Sequence, residues 1–290
     1  MFIIVREGRA KVLEEIASGI RKEIMVTAYH GKSGHLASAF SAVEILTALY
    51  FGGIVRYDRK NPYWEGRDKV VVSKGHASLA LYCILKRIGY LTAEELDSFC
   101  QPGSLLGGEP KYGDIPGVEA TTGSLGHGLS FAVGIALANQ LDQKAAHVYV
   151  VLGDGECQEG SVWEGALSAP TLGLDNLTAI VDHNKLQAMD ALENIVHIEP
   201  FARKWEAFGW EVVEIDGHDC QQIREALLTR KEGKPVLVVA HTIKGKGVSF
   251  MEQVPIWHYR MPNRGELPIL MQELGLKEED LREEISRGEV

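Results

Sequence analysis

The sequence predicts an α/β fold in which one parallel β-sheet is covered by helices on both faces. Three observations carry that reading. Short, nearly continuous apolar runs such as Val148-Tyr149-Val150-Val151-Leu152 recur along the middle of the chain. Helix-period patterns alternate with them, the order that builds parallel sheets buried on both sides. No internal repeat or low-complexity linker breaks the 290 residues, a length that suits one large domain or two small ones.

The first element is an amphipathic helix over about residues 8–28, because Leu13, Ile16, Ile20 and Ile24 recur at helical spacing. A second helix fits residues 42–51. Val70-Val71-Val72 is a short strand that runs into Ser73-Lys74-Gly75-His76. Thr92 and Glu95 form a capping box for another short helix. Further strands are expected at 148–152, 177–181, 212–215 and 236–239, with helices near 125–141, 161–169, 201–208 and 221–231. An irregular tail starts near Lys244, so the domain proper spans about 1–250, with a C-terminal extension over 251–290. Residues 277–289 are acidic, with Leu281 and Ile285 at helical spacing, and read as a solvated helix. Ligands of such sheets bind outside the carboxyl ends of the strands. The loops 73–78, 153–159, 182–186 and 243–247 therefore matter most.

Composition narrows the function classes. With 45% apolar and 24% charged residues, the chain matches a globular protein rather than a disordered or fibrous one. Thirty basic against forty acidic residues give a net charge of −10, which argues against a nucleic-acid or membrane-surface binder. The cysteines, Cys83, Cys100, Cys157 and Cys220, make no CxxC pair, so a zinc ribbon or thioredoxin-type site is not expected. No apolar stretch reaches the ~18–20 residues of a membrane helix, and no cleavage signal opens the chain. The expectation is a cytoplasmic protein that acts on small molecules.

Gly153-Asp154-Gly155 directly follows an expected strand, and Asp182-His183-Asn184-Lys185 follows the next one. An Asp and an Asn at adjacent strand ends supply hard oxygen ligands for Mg²⁺ or Ca²⁺, and Mg²⁺ commonly pairs such ligands with phosphate oxygens. Ser33-Gly34-His35, the segment from Ser73 to Ser78, the run Pro116-Gly117-Val118-Glu119-Ala120-Thr121-Thr122-Gly123-Ser124-Leu125-Gly126-His127-Gly128, Lys244-Gly245-Lys246-Gly247-Val248 and Trp257-His258 complete a joint pattern. With this pattern the chain resembles the thiamine-diphosphate enzymes and, more narrowly, the transketolase family, over about residues 9–258.

The resemblance implies a thiamine-diphosphate-binding fold that holds the diphosphate end of the cofactor. An ordinary transketolase chain also carries a pyrimidine-binding domain and a third domain. This chain is therefore expected to be the N-terminal subunit of a split enzyme. Its partner would be a separate C-terminal, pyrimidine-binding subunit, and the assembly a heterotetramer. The family's glutamate that activates the cofactor would lie in that partner.

By resemblance, the Asp154 and Asn184 side chains and the Leu186 carbonyl bind the metal. Gly155 and Glu159 lie against the diphosphate and thiazolium region, with Gly123 and Leu125 nearby. A helix beginning near Gly123 would aim free N–H groups into the site. His35, His76 and His258 match active-site histidines, suited to moving substrate hydroxyl protons, and His76 also touches the cofactor phosphate. His127 stands where many relatives have Gln and could contact the cofactor. Glu164 matches a glutamate that contacts the catalytic glutamate of the neighbouring polypeptide.

Two departures stand out. Leu36-Ala37 follows His35 where relatives often have Pro-Gly, which changes backbone stiffness there. Gly108-Glu109-Pro110 replaces a Gly-His-Pro, so Glu109 takes the place of a histidine at the donor's hydroxyketone end. An ionised carboxylate accepts hydrogen bonds but cannot donate them, so donor choice could differ. The activity implied is thiamine-diphosphate- and Mg²⁺-dependent transfer of a two-carbon ketol unit from a ketose donor to an aldehyde acceptor. Alternatives are acyl transfer from a 2-oxo acid, the alpha subunit of a 2-oxo-acid dehydrogenase, and a regulatory or scaffold subunit that keeps the fold.

Overall fold

A computed structural model describes residues 2–281, with side-chain environments from residue 10 onward. Helix α1 (Phe2–Gly31) is longer than its apolar pattern predicts. It buries Leu13, Ala17, Ile20, Ile24 and Ala28 along one stripe. After it come α2 (Leu36–Ser41), α3 (Val43–Phe51), β1 (Lys69–Val72), α4 (Ser78–Arg87) and α5 (Ala93–Asp97). The capping box at α5 is present in full: Glu95 N donates to Thr92 Oγ1, and Thr92 N donates to Glu95 Oε2. The alternating part follows as α6 (Gly128–Leu141), β2 (Val148–Gly153), α7 (Gly160–Thr171), β3 (Leu177–His183), α8 (Leu192–Ile195), α9 (Phe201–Phe208), β4 (Glu211–Asp216), α10 (Cys220–Leu227) and β5 (Val236–His241).

All five strands pair in parallel, in the order β1-β2-β3-β5-β4. The pleat sends alternate side chains to opposite faces. Val70, Val72, Tyr149, Val151, Ile180 and Val238 pack into a cluster with α1, α3 and α4. Val71, Val148, Val150, Leu152, Val181 and Val239 pack into a second cluster with residues of α6, α7 and α9. Each valine, leucine or isoleucine so buried contributes about 1.5–3 kcal/mol, so both faces are firmly covered. The fold class is as the sequence predicts.

Several elements differ from expectation. Helix α4 has no polar face: Ser78 through Leu85 are all buried, so it lacks the one-sided pattern by which helices are recognised. The tail is not irregular throughout. It forms a 3₁₀ turn (Pro255–Tyr259) and helix α11 (Leu267–Leu274). Trp257, Leu270, Leu274 and Leu276 enter the same core cluster as α1, and Lys22 Nζ donates to the Gly275 carbonyl at 3.0 Å. Of the acidic tail, Glu278–Leu281 makes a 3₁₀ turn with Leu281 buried, and the remainder, Ile285 included, lies outside the described residues.

Candidate active site

The carboxyl ends of β1, β2, β3 and β5 open onto one cavity of about 280 Å³. Its wall is built from Lys74 and His76 after β1, residues 153–156 at the end of β2, Asn184 and residues 186–188 after β3, and Lys244 after β5, closed by Ser38, Leu125 and His258.

At the end of β2 the chain turns into a short 3₁₀ segment (Gly155–Gln158) that leaves Asp154 buried at its start. Asp154 Oδ1 accepts from Gly155 N at 2.8 Å, and Oδ2 accepts from Lys185 N at 2.5 Å. His183 Nδ1 stands 3.3 Å from Asp154 Oδ2, and its Nε2 stands 3.3 Å from Glu199 Oε1. Lys185 adopts a left-handed φ of 63°, which reverses the chain so that Asn184 and Leu186 both face the cavity. Asn184 Oδ1 accepts from Leu186 N at 3.1 Å.

Beneath this turn Asp182 is fully buried. It accepts from Lys74 Nζ, from Ser41 Oγ at 2.6 Å and from Thr242 Oγ1. Burial alone would raise the Asp182 carboxyl, but the Lys74 charge and these donors hold it below the usual range. Lys244 Nζ donates to the carbonyls of Leu186 and Gln187 at 3.1 and 3.2 Å and lies 3.1 Å from His258 Nδ1. Burial, then the nearby Lys74 charge, pull Lys244 down to about 8. Glu156 is buried too, and accepts from Ser73 Oγ and from Gly126 N and Gly153 N, both at 3.0 Å. It ties the ends of β1 and β2 to the loop before α6, and burial raises its carboxyl despite those donors.

His35, His76 and His258 form a triangle of rings with centroids 4.6, 5.3 and 5.1 Å apart. Burial lowers them to about 4, 3 and 4, reinforced by Lys244 at His35 and His258 and by the two neighbouring histidines at His76, so all three are neutral at pH 7. His35 touches the two that line the wall and is itself half-buried, and its Nδ1 is buried without a partner.

The structure thus gathers His76, His258, Leu125, Asp154, Gly155, Asn184 and Leu186 on one cavity, with His35 against it. Gly123, Glu109, His127, Glu159 and Glu164 do not line that wall. Glu159 is exposed and packs on Gly126, where an added Cβ would come within 2.7 Å of the Glu159 Cβ. Glu164 and His127 are exposed. The exposed Glu109 folds over Gly123: a Cβ there would sit 1.7 Å from Glu109 Oε2.

The expected helix start near Gly123 is corrected. Gly123 sits in a loop at φ 131°, and α6 begins at Gly128. The N–H groups of Gly126 and Gly128 are spent on Glu156 and on Ser73 Oγ, so they are not free for a ligand. Sequence reasoning also gave no role to Lys74, Asp182, Glu156 or Lys244. Lys74 and Lys244 stood inside singled-out segments, but a lysine beside a strand end is ordinarily solvated. Only the long-range partners supplied by the fold make them buried.

The donor set fits a hard divalent cation with phosphates. The Asp154 carboxylate, the Asn184 amide oxygen and the Leu186 carbonyl belong to residues of the cavity wall and have acceptor capacity beyond the hydrogen bonds they make, and the Lys74 and Lys244 ammonium groups stand on the same wall.

The family model described as transketolase, thiamine diphosphate binding domain, matches residues 12–280. Over 280 residues the chain is 39% identical to an apulose-4-phosphate transketolase subunit from Phocaeicola vulgatus, covering 95% of this chain and 98% of that one. It is 44% identical over 221 residues to the 6-deoxy-6-sulfo-D-fructose transketolase subunit SqwG of a Clostridium species, covering 76% and 80%. The transketolase of Campylobacter jejuni superposes with a TM-score of 0.86 at 32% identity, over 92% of this chain and 43% of that one. The chain spans about two fifths of the length of the solved transketolases it matches.

Proposed function

The chain belongs to the transketolase family, as a thiamine-diphosphate-binding domain, and from that premise we propose that it is the cofactor-binding subunit of a two-chain enzyme. The assembled enzyme transfers a two-carbon ketol unit from a ketose donor to an aldehyde acceptor. Support for the two-chain reading comes from relatives that are themselves named as transketolase subunits and match along nearly their whole length. The partner carries the pyrimidine pocket and the activating glutamate, in a cytoplasmic heterotetramer. Within the C-terminal extension, the described residues 251–281 brace α1.

Asp154, Asn184 and the Leu186 carbonyl hold Mg²⁺, while Lys244 offsets remaining phosphate charge and the Lys74 charge is matched by Asp182. Thiamine diphosphate, when bound, supplies the carbanion chemistry that the protein itself lacks. Gly153 and Gly155 both line the cavity; a Cβ on Gly153 would touch nothing nearer than 3.8 Å, whereas one on Gly155 would meet Gln187 Cγ at 2.9 Å, so Gly155 is the position that the packing there requires to be glycine. His76 and His35, held neutral, can accept a hydroxyl proton from the donor and return it to the acceptor. His258 is fixed by Lys244 on the same side. Gly123, His127, Glu159 and Glu164, outside the wall of the isolated chain, meet the cofactor or the partner when the second polypeptide closes over them.

The observation that carries this reading is one cavity holding oxygen donors, buried ammonium groups and neutral imidazoles together. Its test is a product analysis by mass spectrometry, with the assembled complex offered ketose phosphates and a 2-oxo acid, each with an aldehyde acceptor. Two-carbon transfer from a ketose supports it. Transfer from the 2-oxo acid alone, or a complex that binds no thiamine diphosphate, contradicts it.

A further inference from the structure

We infer that His35, His76 and His258 form a binding site for a divalent transition-metal ion that prefers imidazole, Zn²⁺ above all. One ring nitrogen from each residue lies within 4.8 Å of the others. Tetrahedral Zn–N bonds of about 2.0–2.1 Å place ligand nitrogens roughly 3.4 Å apart, so each ring needs to move by under about an ångström. The rings already face one another edge-on rather than stacking. His35 brings a second, independent sign: a buried Nδ1 with no hydrogen-bond partner. Three neutral imidazoles with a cavity on one side give the three-ligand, one-open-position arrangement of an accessible zinc site.

The ligand type selects the ion. Imidazole suits Zn²⁺, Cu²⁺ and Co²⁺, whereas Mg²⁺ prefers oxygen and stays with Asp154, Asn184 and Leu186. Two features oppose binding and set its strength. The Lys74 and Lys244 ammonium groups repel a cation, and Lys244 Nζ already occupies His258 Nδ1 at 3.1 Å. The site is therefore one that an excess of free Zn²⁺ fills, rather than a permanent structural centre. Once filled, it withdraws the imidazoles that would handle donor protons, so the ion inhibits in competition with the donor. That consequence rests on the functional reading above; the binding itself does not.

The test needs no turnover. The full-length chain is titrated with Co²⁺, and the visible absorption of low-coordinate Co²⁺ is followed, then displaced with Zn²⁺. The expected result is one equivalent of such Co²⁺, released by Zn²⁺ and indifferent to excess Mg²⁺. His35→Ala weakens it by at least about tenfold, the smaller loss seen when only a ligand's supporting partner is removed. Lys244→Met tightens it, and Asp154→Ala leaves it unchanged. Circular dichroism checks that each variant folds, and His258→Gln carries the same arm if His35→Ala does not. Absence of low-coordinate Co²⁺ overturns the proposal. So does absorption unchanged in both histidine variants, which places the ion on other histidines. Either failure leaves ketol transfer by the assembled enzyme as a separate question.

Discussion

Lys74 Nζ, from the loop after β1, donates to Asp182 Oδ2 on β3 and so reaches beneath the strand end that carries Asp154. Both side chains are almost wholly buried. The pair spans β2, and it holds the loops on either side of the Gly153-Asp154-Gly155 turn at a fixed separation.

Removing one partner leaves a buried charge uncompensated. Lys74→Met is expected to cost about 3–5 kcal/mol of unfolding free energy in urea, because Asp182 keeps only neutral donors, the Ser41 and Thr242 hydroxyls and the Asn184 amide. Adding Asp182→Asn to that variant should recover most of the loss. No recovery in the double variant would mean that the pair is not what Lys74 contributes.

Asp154→Ala removes the charged oxygen donor and should abolish Mg²⁺-dependent binding of thiamine diphosphate in calorimetric titration of the assembled complex. Asn184→Ala, which deletes a neutral donor, should weaken binding less. Equal affinity in wild type and the Asp154 variant would mean that the metal lies elsewhere.

Gly123 leaves no room for a side chain under Glu109, and its φ of 131° is strained for any other residue. Gly123→Ala should displace Glu109 and change donor KM in the assembled enzyme while leaving Mg²⁺ affinity intact. Glu109→His restores a donor group; a hydrogen bond of about 1.5 kcal/mol corresponds to about tenfold in kcat/KM on an ordinary ketose phosphate. If neither substitution alters donor preference, Glu109 does not set it.

How much of this was legible in the sequence depends on the range of the interactions. The strands and the motif loops could be read because each is a local pattern: a run of valines, or Gly-Asp-Gly after a strand. Helix α4 was hidden because it is apolar on every side. The start of α6 was misplaced because Gly123 and Gly126 shape a loop rather than a helix turn, and only the structure shows Glu156 reaching back to Gly126. The partners of Lys74 and Lys244 lie 108 and 58 residues away, beyond any local pattern.

Stability should fall as pH drops below about 6.5. His147 is buried against Tyr149, and burial lowers it from 6.5 to about 3. Between those values the unfolded chain binds a proton that the folded chain refuses, so unfolding is favoured as pH falls. His35, His76 and His258 act in the same direction. Urea unfolding followed from about pH 7 to 5 should show a slope that His147→Gln reduces by up to about 1.4 kcal/mol per pH unit. A slope that the substitution leaves untouched would assign the effect to other groups.

On the proposed function, this chain holds the diphosphate end of a shared active site and works only with a second polypeptide. That dependence is tested most directly by measuring ketol transfer with Mg²⁺ and thiamine diphosphate, first with the purified chain alone and then after addition of a separately purified pyrimidine-binding partner. No turnover is expected in the first case, and turnover that saturates at an equal ratio of the two polypeptides in the second. Turnover by this chain alone would contradict it.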